Sequence, residues 1–151
     1  MEYASFEHYM REALSLARQA AAQGEVPVGA VVVGPDGAIL GRGRNRREEG
    51  PDATAHAEIE AIREACRTLG SWRLEGCTLF VTLEPCPMCT GAIILSRLPC
   101  LVFGAREPQT GSVGSVIDLF QERYRHEPKV YAGICEDECA LLLRDFFADK
   151  R

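Results

Sequence analysis

Helix-like and strand-like segments alternate along almost the whole chain, and this alternation limits the fold more than any other feature of the sequence. Residues 5–22 carry apolar side chains at helical spacing, with Ser5 as a candidate N-cap and Gly24 as a stop. In "VPVGAVVVGPDGAILGRG", which follows, two apolar runs flank a "GPDG" turn, and this pattern predicts a β-hairpin. Pro27 predicts that the first strand begins at or near a sheet edge.

The same alternation continues through the second half. We expect a helix over 59–69 that ends near Gly70, a buried strand at "CTLFVTLEP", a helix at "CPMCTGAIILSR" and a strand at "CLVFGA". A short helical segment around 115–122, a weak strand at "KVYAG" and a last helix over 136–147 complete the pattern. The prediction is an α/β fold, a three-layer α/β/α sandwich with a mixed five-stranded sheet, in one domain spanning 1–151.

Length and composition fit a chain that folds throughout. With 151 residues, of which 46% are hydrophobic and 26% charged, it can bury a core without disulfides. No apolar run approaches the roughly 20 residues of a membrane helix, and "MEYASFEHYMREAL" is too polar for the core of a signal peptide. We therefore expect a cytoplasmic protein with no membrane partner, in which a cysteine pair serves a metal or catalysis.

The charge of the chain limits how it can bind nucleic acid. A formal net charge of −5 argues against nonspecific binding over the whole surface. Four arginines nevertheless crowd into "GRGRNRREEG", namely Arg42, Arg44, Arg46 and Arg47. A local basic patch and a solvated arginine-rich turn are both compatible with this stretch.

One histidine and two cysteines stand where two helices are expected to begin. His56 opens the first helix in "TAHAEIEAI", and Cys86 and Cys89 open the second in "EPCPMC". Side chains in a first turn lean toward the helix N-terminus, so these three can meet over the two helix poles, where the dipoles favour thiolate. Two thiolates and an imidazole neutralise Zn²⁺ and leave a fourth position for water, as in catalytic zinc sites. Glu58 could reach the space above the metal as a general acid and base.

Three plainer interpretations stand beside catalytic zinc. His56 and Glu58 could cap a helix. The cysteines could form a structural zinc knuckle, which needs a fourth protein ligand, although His8 and His126 have no ligand-like spacing. They could also form a thioredoxin-like dithiol, which needs no upstream His-x-Glu. The joint occurrence of His-x-Glu and Pro-Cys-x-x-Cys favours catalytic zinc.

Other residues that could carry chemistry are interpreted as packing residues. Phe146 and Phe147 are expected in the core unless the last helix reaches the pocket. The cysteines outside the metal motif are expected at core-facing positions. These are Cys66, Cys77, Cys100, Cys135 and Cys139.

Taken together, these motifs resemble the zinc-dependent cytidine deaminase superfamily and, within it, the bacterial tRNA-specific adenosine deaminases. The resemblance covers nearly the whole chain, through "EVPVGAVVV", "GRNR", "TAHAEIEAI", "LFVTLEPCPMC", "FGAR", "TGSVGS" and "DECALLLRDFF". His-x-Glu and Pro-Cys-x-x-Cys mark the superfamily. The "EVPVGAV" segment near the start, the loop that begins at "FGAR" and the "DECALLLRDFF" segment near the end resemble the tRNA-specific branch.

The resemblance implies a fold, a reaction and a set of contacts. It implies a cytidine deaminase-like homodimer with one Zn²⁺ per subunit, which hydrolyses adenosine to inosine at the wobble position of a tRNA anticodon loop, with Glu58 moving protons. Asn45 resembles the residue that contacts the flipped base, Val28 a pocket wall, and Glu84 a residue whose carbonyl or backbone lines the site. The substrate-binding residues that it implies are Val28, Asn45, Glu84, Arg106, Glu107 and Phe147.

Two positions in "REPQTG" differ from the family pattern. Glu107 stands where a shorter aspartate is common, and Gln109 stands where a lysine is common, which should weaken phosphate attraction. These differences and the acidic net charge leave a free base or nucleoside deaminase, of guanine or cytosine type, as the alternative function. A catalytically silent zinc protein that binds RNA is a further alternative, and the intact Glu58 counts against it.

Overall fold

The computed structural model describes residues 3–149, whose five strands form one mixed sheet. The elements are α1 (Tyr3–Ala22), β1 (Gly29–Val33), β2 (Ile39–Arg44), α2 (Ala57–Leu69), β3 (Thr78–Leu83), α3 (Pro87–Leu95), β4 (Cys100–Ala105), β5 (Lys129–Ala132) and α4 (Glu136–Asp149). The strand order is β2-β1-β3-β4-β5. β1 runs antiparallel to β2 and β3, whereas β3, β4 and β5 are parallel to one another. The predicted hairpin, the alternation and the mixed sheet are confirmed.

Helices cover both faces of this sheet. α1 and α4 pack on one face around Phe6, Met10 and Phe80, and α2 and α3 pack on the other around Ile62 and Ile93. β3 is buried on both faces, which explains why its sequence is a continuous apolar run without alternation. The three-layer sandwich is therefore confirmed. Within residues 3–149, no helix combines the length and the apolar character needed to cross a membrane.

Two glycines of β2 allow α2 to lie directly on the sheet. A Cβ added to Gly43 would lie 2.1 Å from the carbonyl oxygen of Ala57, and one added to Gly41 would lie 2.1 Å from that of Ala61. Both atoms belong to the helix backbone, so no side-chain movement could relieve the contact. The contact between β2 and α2 therefore fixes how closely the start of α2, which directly follows His56, lies on the sheet.

Several local predictions are wrong. α1 begins at Tyr3, so Ser5 lies inside the helix and is not its N-cap. β1 is an interior strand, and Pro27 precedes it, at a position where the missing N–H costs no ladder hydrogen bond. Within 115–122 only the turn Leu119–Gln121 is helical, as a 3₁₀ turn. Cys135 is half-buried in a turn before α4, with φ 55°, whereas Cys139 is buried as expected.

Candidate active site

His56, Cys86 and Cys89 meet where α2 and α3 begin. His56 is the N-cap of α2 and Cys86 is the N-cap of α3, which has a proline in its first turn. Nδ1 of His56 lies 3.6 Å from Sγ of Cys86 and 3.5 Å from Sγ of Cys89. All three ligand atoms lie within 4.8 Å of one another. The predicted meeting of these side chains over two helix poles is confirmed.

This set of donor atoms fits one zinc ion. An imidazole nitrogen and two thiol sulfurs are ligands that zinc prefers. In the part of the chain that the structure describes, no fourth histidine, cysteine or carboxylate joins the cluster, as a structural knuckle would require. His56 makes no side-chain hydrogen bond that caps α2, so the capping interpretation of this residue is wrong.

The two thiols of the cluster differ electrostatically. A hydrogen bond from Cys89 is the main reason why the pKa of Cys86 falls to about 4, and His56 contributes to the same shift. The same contact, together with burial, raises the pKa of Cys89. The Cys86 sulfur in turn raises the pKa of His56. A thiolate is the form of cysteine that binds metal, and the cluster favours it at Cys86.

Glu58 lies in the first turn of α2 and faces the same space as the cluster. It is 4% exposed, and burial raises its pKa to about 7. A carboxyl group that titrates near neutral pH can both accept and donate a proton in the cell. Glu58 lines the same cavity as His56 and Cys86.

The site opens into a cavity of about 230 Å³, here called the polar cavity, which His56, Glu58 and Cys86 line. Arg106, by contrast, lines a neighbouring apolar cavity of about 550 Å³, and its guanidinium lies over the ring of Phe103. The larger cavity contains none of the metal-ligand candidates, so the smaller one is the candidate active site. The other residues implied as substrate contacts all line the polar cavity: Val28, Asn45, Glu84, Glu107 and Phe147.

Residues from distant parts of the chain build the walls of the polar cavity. Asn45 follows β2 and Val28 precedes β1, and the N–H of Asn45 donates to the carbonyl of Val28 at 3.2 Å. Phe147, near the end of α4, is 50% exposed and packs edge-on against Phe146. The last helix therefore reaches the pocket, so the stated exception applies and Phe147 does not have a core position.

Glu84, directly after β3, contributes its side chain to the structure around the polar cavity. Its carboxylate accepts the backbone N–H groups of Glu107, Val113 and Ser115, at 3.1, 3.0 and 3.1 Å, and the hydroxyl of Ser115. Burial opposes the charge, but these hydrogen bonds, led by those from Ser115, hold the pKa of Glu84 below its ordinary value. The carboxylate thus joins both ends of the loop that carries Glu107.

Some lining residues were not expected as contacts. Of the arginine cluster, Arg47 lines the polar cavity, whereas Arg44 and Arg46 each pair with Glu49 at 3.0 Å. The cluster is thus partly neutralised. Arg47 lies two residues after Asn45, and the period of an extended segment could have placed both on one face. The other unexpected lining residues are Val26, Leu83 and Thr110.

The comparison with known families agrees with this geometry. Residues 4–105 match the model of the cytidine and deoxycytidylate deaminase zinc-binding region. The match contains both halves of the His-Cys-Cys cluster and Glu58. This chain therefore belongs to the zinc-binding cytidine and deoxycytidylate deaminase family.

Individual relatives show which members of the family this chain is similar to. The tRNA-specific adenosine deaminase of Bacillus subtilis (strain 168) is 50% identical over 146 residues, which cover 96% of this chain and 90% of that protein. A solved structure from work on A-to-I editing by tRNA:A34 deaminases at the wobble position superposes with a TM-score of 0.87 at 47% identity, covering 90% of this chain and 99% of that one. Guanine deaminase from Nitrosomonas europaea gives a TM-score of 0.77 at 29% identity, over 94% of this chain and 84% of that one.

Proposed function

We propose that this chain, as a single-domain hydrolase, deaminates adenosine to inosine at the wobble position of a tRNA anticodon loop. The observation that carries the proposal is the opening of His56, Cys86 and Glu58 into one cavity, beside the buried Cys89. The near-full-length likeness to tRNA-specific adenosine deaminases supports the choice of substrate. A loop of single-stranded RNA suits the site, because its bases can turn outward into a pocket.

The side chains divide the work of this hydrolysis. His56, Cys86 and Cys89 would hold zinc, which when bound supplies a Lewis acid that makes water nucleophilic near neutral pH. Glu58 accepts a proton from the attacking water as the water oxygen bonds to C6 of adenine, and passes this proton to N1 as the C6–N1 double bond becomes single. Glu58 then moves the remaining hydroxyl proton to the amino group, the bond from C6 to that group breaks, ammonia leaves, and C6 becomes the carbonyl carbon of inosine.

The walls of the polar cavity provide groups for holding one base. The side-chain amide of Asn45 can hydrogen-bond to the edge of the base, while Val28 packs against it. The exposed ring of Phe147 offers an aromatic surface for stacking. Arg47 supplies a positive charge to the RNA backbone, which matters in a chain whose net charge is −5. Glu107 lies on the opposing loop and would contact the RNA beside the target base.

We also propose that the protein acts in the cytoplasm as a homodimer. Apolar side chains are exposed on α3 and in the loop after β4, with Leu95 71% exposed and Val116 55% exposed. Contiguous exposed apolar patches often mark protein interfaces, and these side chains are candidates for such a patch. Sedimentation equilibrium of the purified protein should give twice the monomer mass. A monomer at all concentrations would contradict this part of the proposal.

Inosine formation on an anticodon stem-loop with a wobble adenosine tests the activity, with guanine, adenosine and cytosine assayed in parallel. The zinc-loaded protein should convert the RNA. Glu58→Gln, which keeps the size of the side chain, should bind zinc normally and lose activity by about two to four orders of magnitude. Retained turnover would refute the role of Glu58. Conversion of guanine with the RNA untouched would favour the alternative that the likeness to a guanine deaminase raises.

A further inference from the structure

We propose that Glu84 is a positioning residue whose buried carboxylate holds loop 106–115 in the shape that forms one wall of the polar cavity. The inference rests on the proposed function, because it assigns the loop to substrate binding. It differs from the role that the resemblance implies for Glu84, in which the carbonyl or backbone of this residue lines the site.

The carboxylate of Glu84 connects parts of the chain that would otherwise be separate. The side chain is fully buried, directly after β3. It accepts N–H groups from Glu107 at one end of the loop and from Val113 and Ser115 at the other. A further hydrogen bond comes from the hydroxyl of Ser115. One anionic side chain therefore binds both ends of a loop that contains no strand or helix.

The loop also packs closely against this carboxylate. A Cβ added to Gly111 would lie 2.5 Å from Cδ of Glu84 and 2.4 Å from the carbonyl oxygen of Glu107. The loop backbone also makes hydrogen bonds of its own, among them those from the N–H of Gly111 to the carbonyl of Glu107 and from the N–H of Ser112 to the carbonyl of Pro85, each at 2.9 Å. The first closes a local turn and the second ties the loop to the residue that follows Glu84, whereas the carboxylate of Glu84 binds both ends of the loop.

The loop contributes to substrate binding and not to the reacting centre. Glu107, Gln109 and Thr110 line the polar cavity, while Ser115 does not. The three metal-ligand candidates and Glu58 stand at the starts of α2 and α3, outside the loop. If the loop loosens, the contacts to RNA should weaken while the reacting groups stay in place. The expected effect is therefore on KM more than on kcat.

Two variants of this network and one matched control test the inference. Glu84→Gln keeps the shape of the side chain, but its amide accepts at one oxygen and turns an NH₂ toward N–H donors. Ser115→Ala removes the hydroxyl that donates to the carboxylate of Glu84. Ser115 does not line the polar cavity, so this change can reach the cavity only through Glu84. Glu64→Gln is the control, because Glu64 also accepts a backbone N–H, that of Arg42 at 3.1 Å, but lies outside the polar cavity.

The variants would be compared by KM and kcat on the stem-loop, by zinc content and by amide hydrogen exchange. Glu84→Gln should raise KM by about tenfold or more and change kcat by less than about threefold, since a charge-assisted hydrogen bond is worth a factor of this order. The amides of Glu107, Val113 and Ser115 should exchange faster, with zinc content unchanged. Ser115→Ala should shift the same quantities in the same direction by less, and Glu64→Gln should match the wild type.

Three results would overturn the inference. They are unchanged exchange at the loop amides in Glu84→Gln, faster exchange without a change in KM, and loss of zinc from that variant. If Glu84→Gln does not fold, Ser115→Ala decides by the same quantities. Failure of the wild type to convert the stem-loop would refute the proposed function alone. Hydrogen exchange needs no substrate, so it would still report on how Glu84 holds the loop.

Discussion

Replacing Gly43 with alanine tests how far the metal site depends on the contact between β2 and α2. The added Cβ would lie 2.1 Å from the carbonyl oxygen of Ala57 and 2.7 Å from the backbone nitrogen of Ala61. Both atoms belong to the backbone of α2, so the strain cannot be relieved by rotating a side chain. The helix must move away from the sheet, and its first turn carries Glu58 and follows His56 directly.

The size of the effect follows from these distances. Nonbonded heavy atoms pack at about 3.5 Å or more, so the 2.1 Å contact requires the start of α2 to move by about 1.4 Å. Overpacking of this kind costs about 1–3 kcal/mol of folding free energy. In a domain of this length, that corresponds to a fall in Tm of roughly 3–10 °C. A displacement of about 1 Å at a catalytic group can lower the rate by about 100-fold.

Thermal unfolding, zinc affinity and inosine formation would be measured for Gly43→Ala beside Gly50→Ala. Gly50 is the matched control, because an added Cβ there meets nothing within 4 Å. Gly43→Ala should show a lower Tm, weaker zinc binding and a large loss of turnover, while Gly50→Ala should resemble the wild type. Equal zinc affinity and turnover in the two variants would refute the argument that β2 sets the position of the site.

Three further predictions concern the cavity and the thiols. Phe147→Ala should raise KM for the stem-loop by about tenfold, because stacking of a base on an aromatic ring is worth about 1–3 kcal/mol. Phe147→Tyr keeps the ring and should leave KM unchanged. Equal KM values for Phe147→Ala and the wild type would exclude stacking. Chelation of the metal should abolish turnover and added Zn²⁺ should restore it, whereas activity that survives complete removal would show that zinc is dispensable. Cys139 is buried, and burial raises its pKa to about 12. Iodoacetamide at pH 8 should therefore leave Cys139 unmodified in the folded protein and modify it in urea. Peptide mapping that finds Cys139 alkylated without denaturant would contradict this prediction.

The metal cluster was predictable because its geometry depends on local rules. His56, Cys86 and Cys89 each stand at a helix start, which the flanking sequence indicates through Pro87 and the apolar period that follows. First-turn side chains of two helices can converge without knowledge of the rest of the fold. The alternation of helices and strands was predictable for a similar reason, since periodicity depends on near neighbours.

Other features depended on contacts between distant residues. Phe147 fits a core position by spacing, and only the path of α4 across the sheet places it at the cavity. The side-chain role of Glu84 depends on donors that lie 23 to 31 residues further along the chain. The pairing of Arg44 and Arg46 with Glu49 likewise required the folded loop.

The sequence by itself determined the order of helices and strands, the three candidate metal ligands and Glu58 as a candidate acid and base beside them. These features follow from periodicity, from helix starts and from the donor chemistry of a few side chains, all of which act over short distances along the chain. The tertiary structure alone decided which residues wall the cavity, how loop 106–115 is held and how closely α2 lies on β2. Those features depend on packing and hydrogen bonds between residues far apart in the chain, which local spacing does not encode.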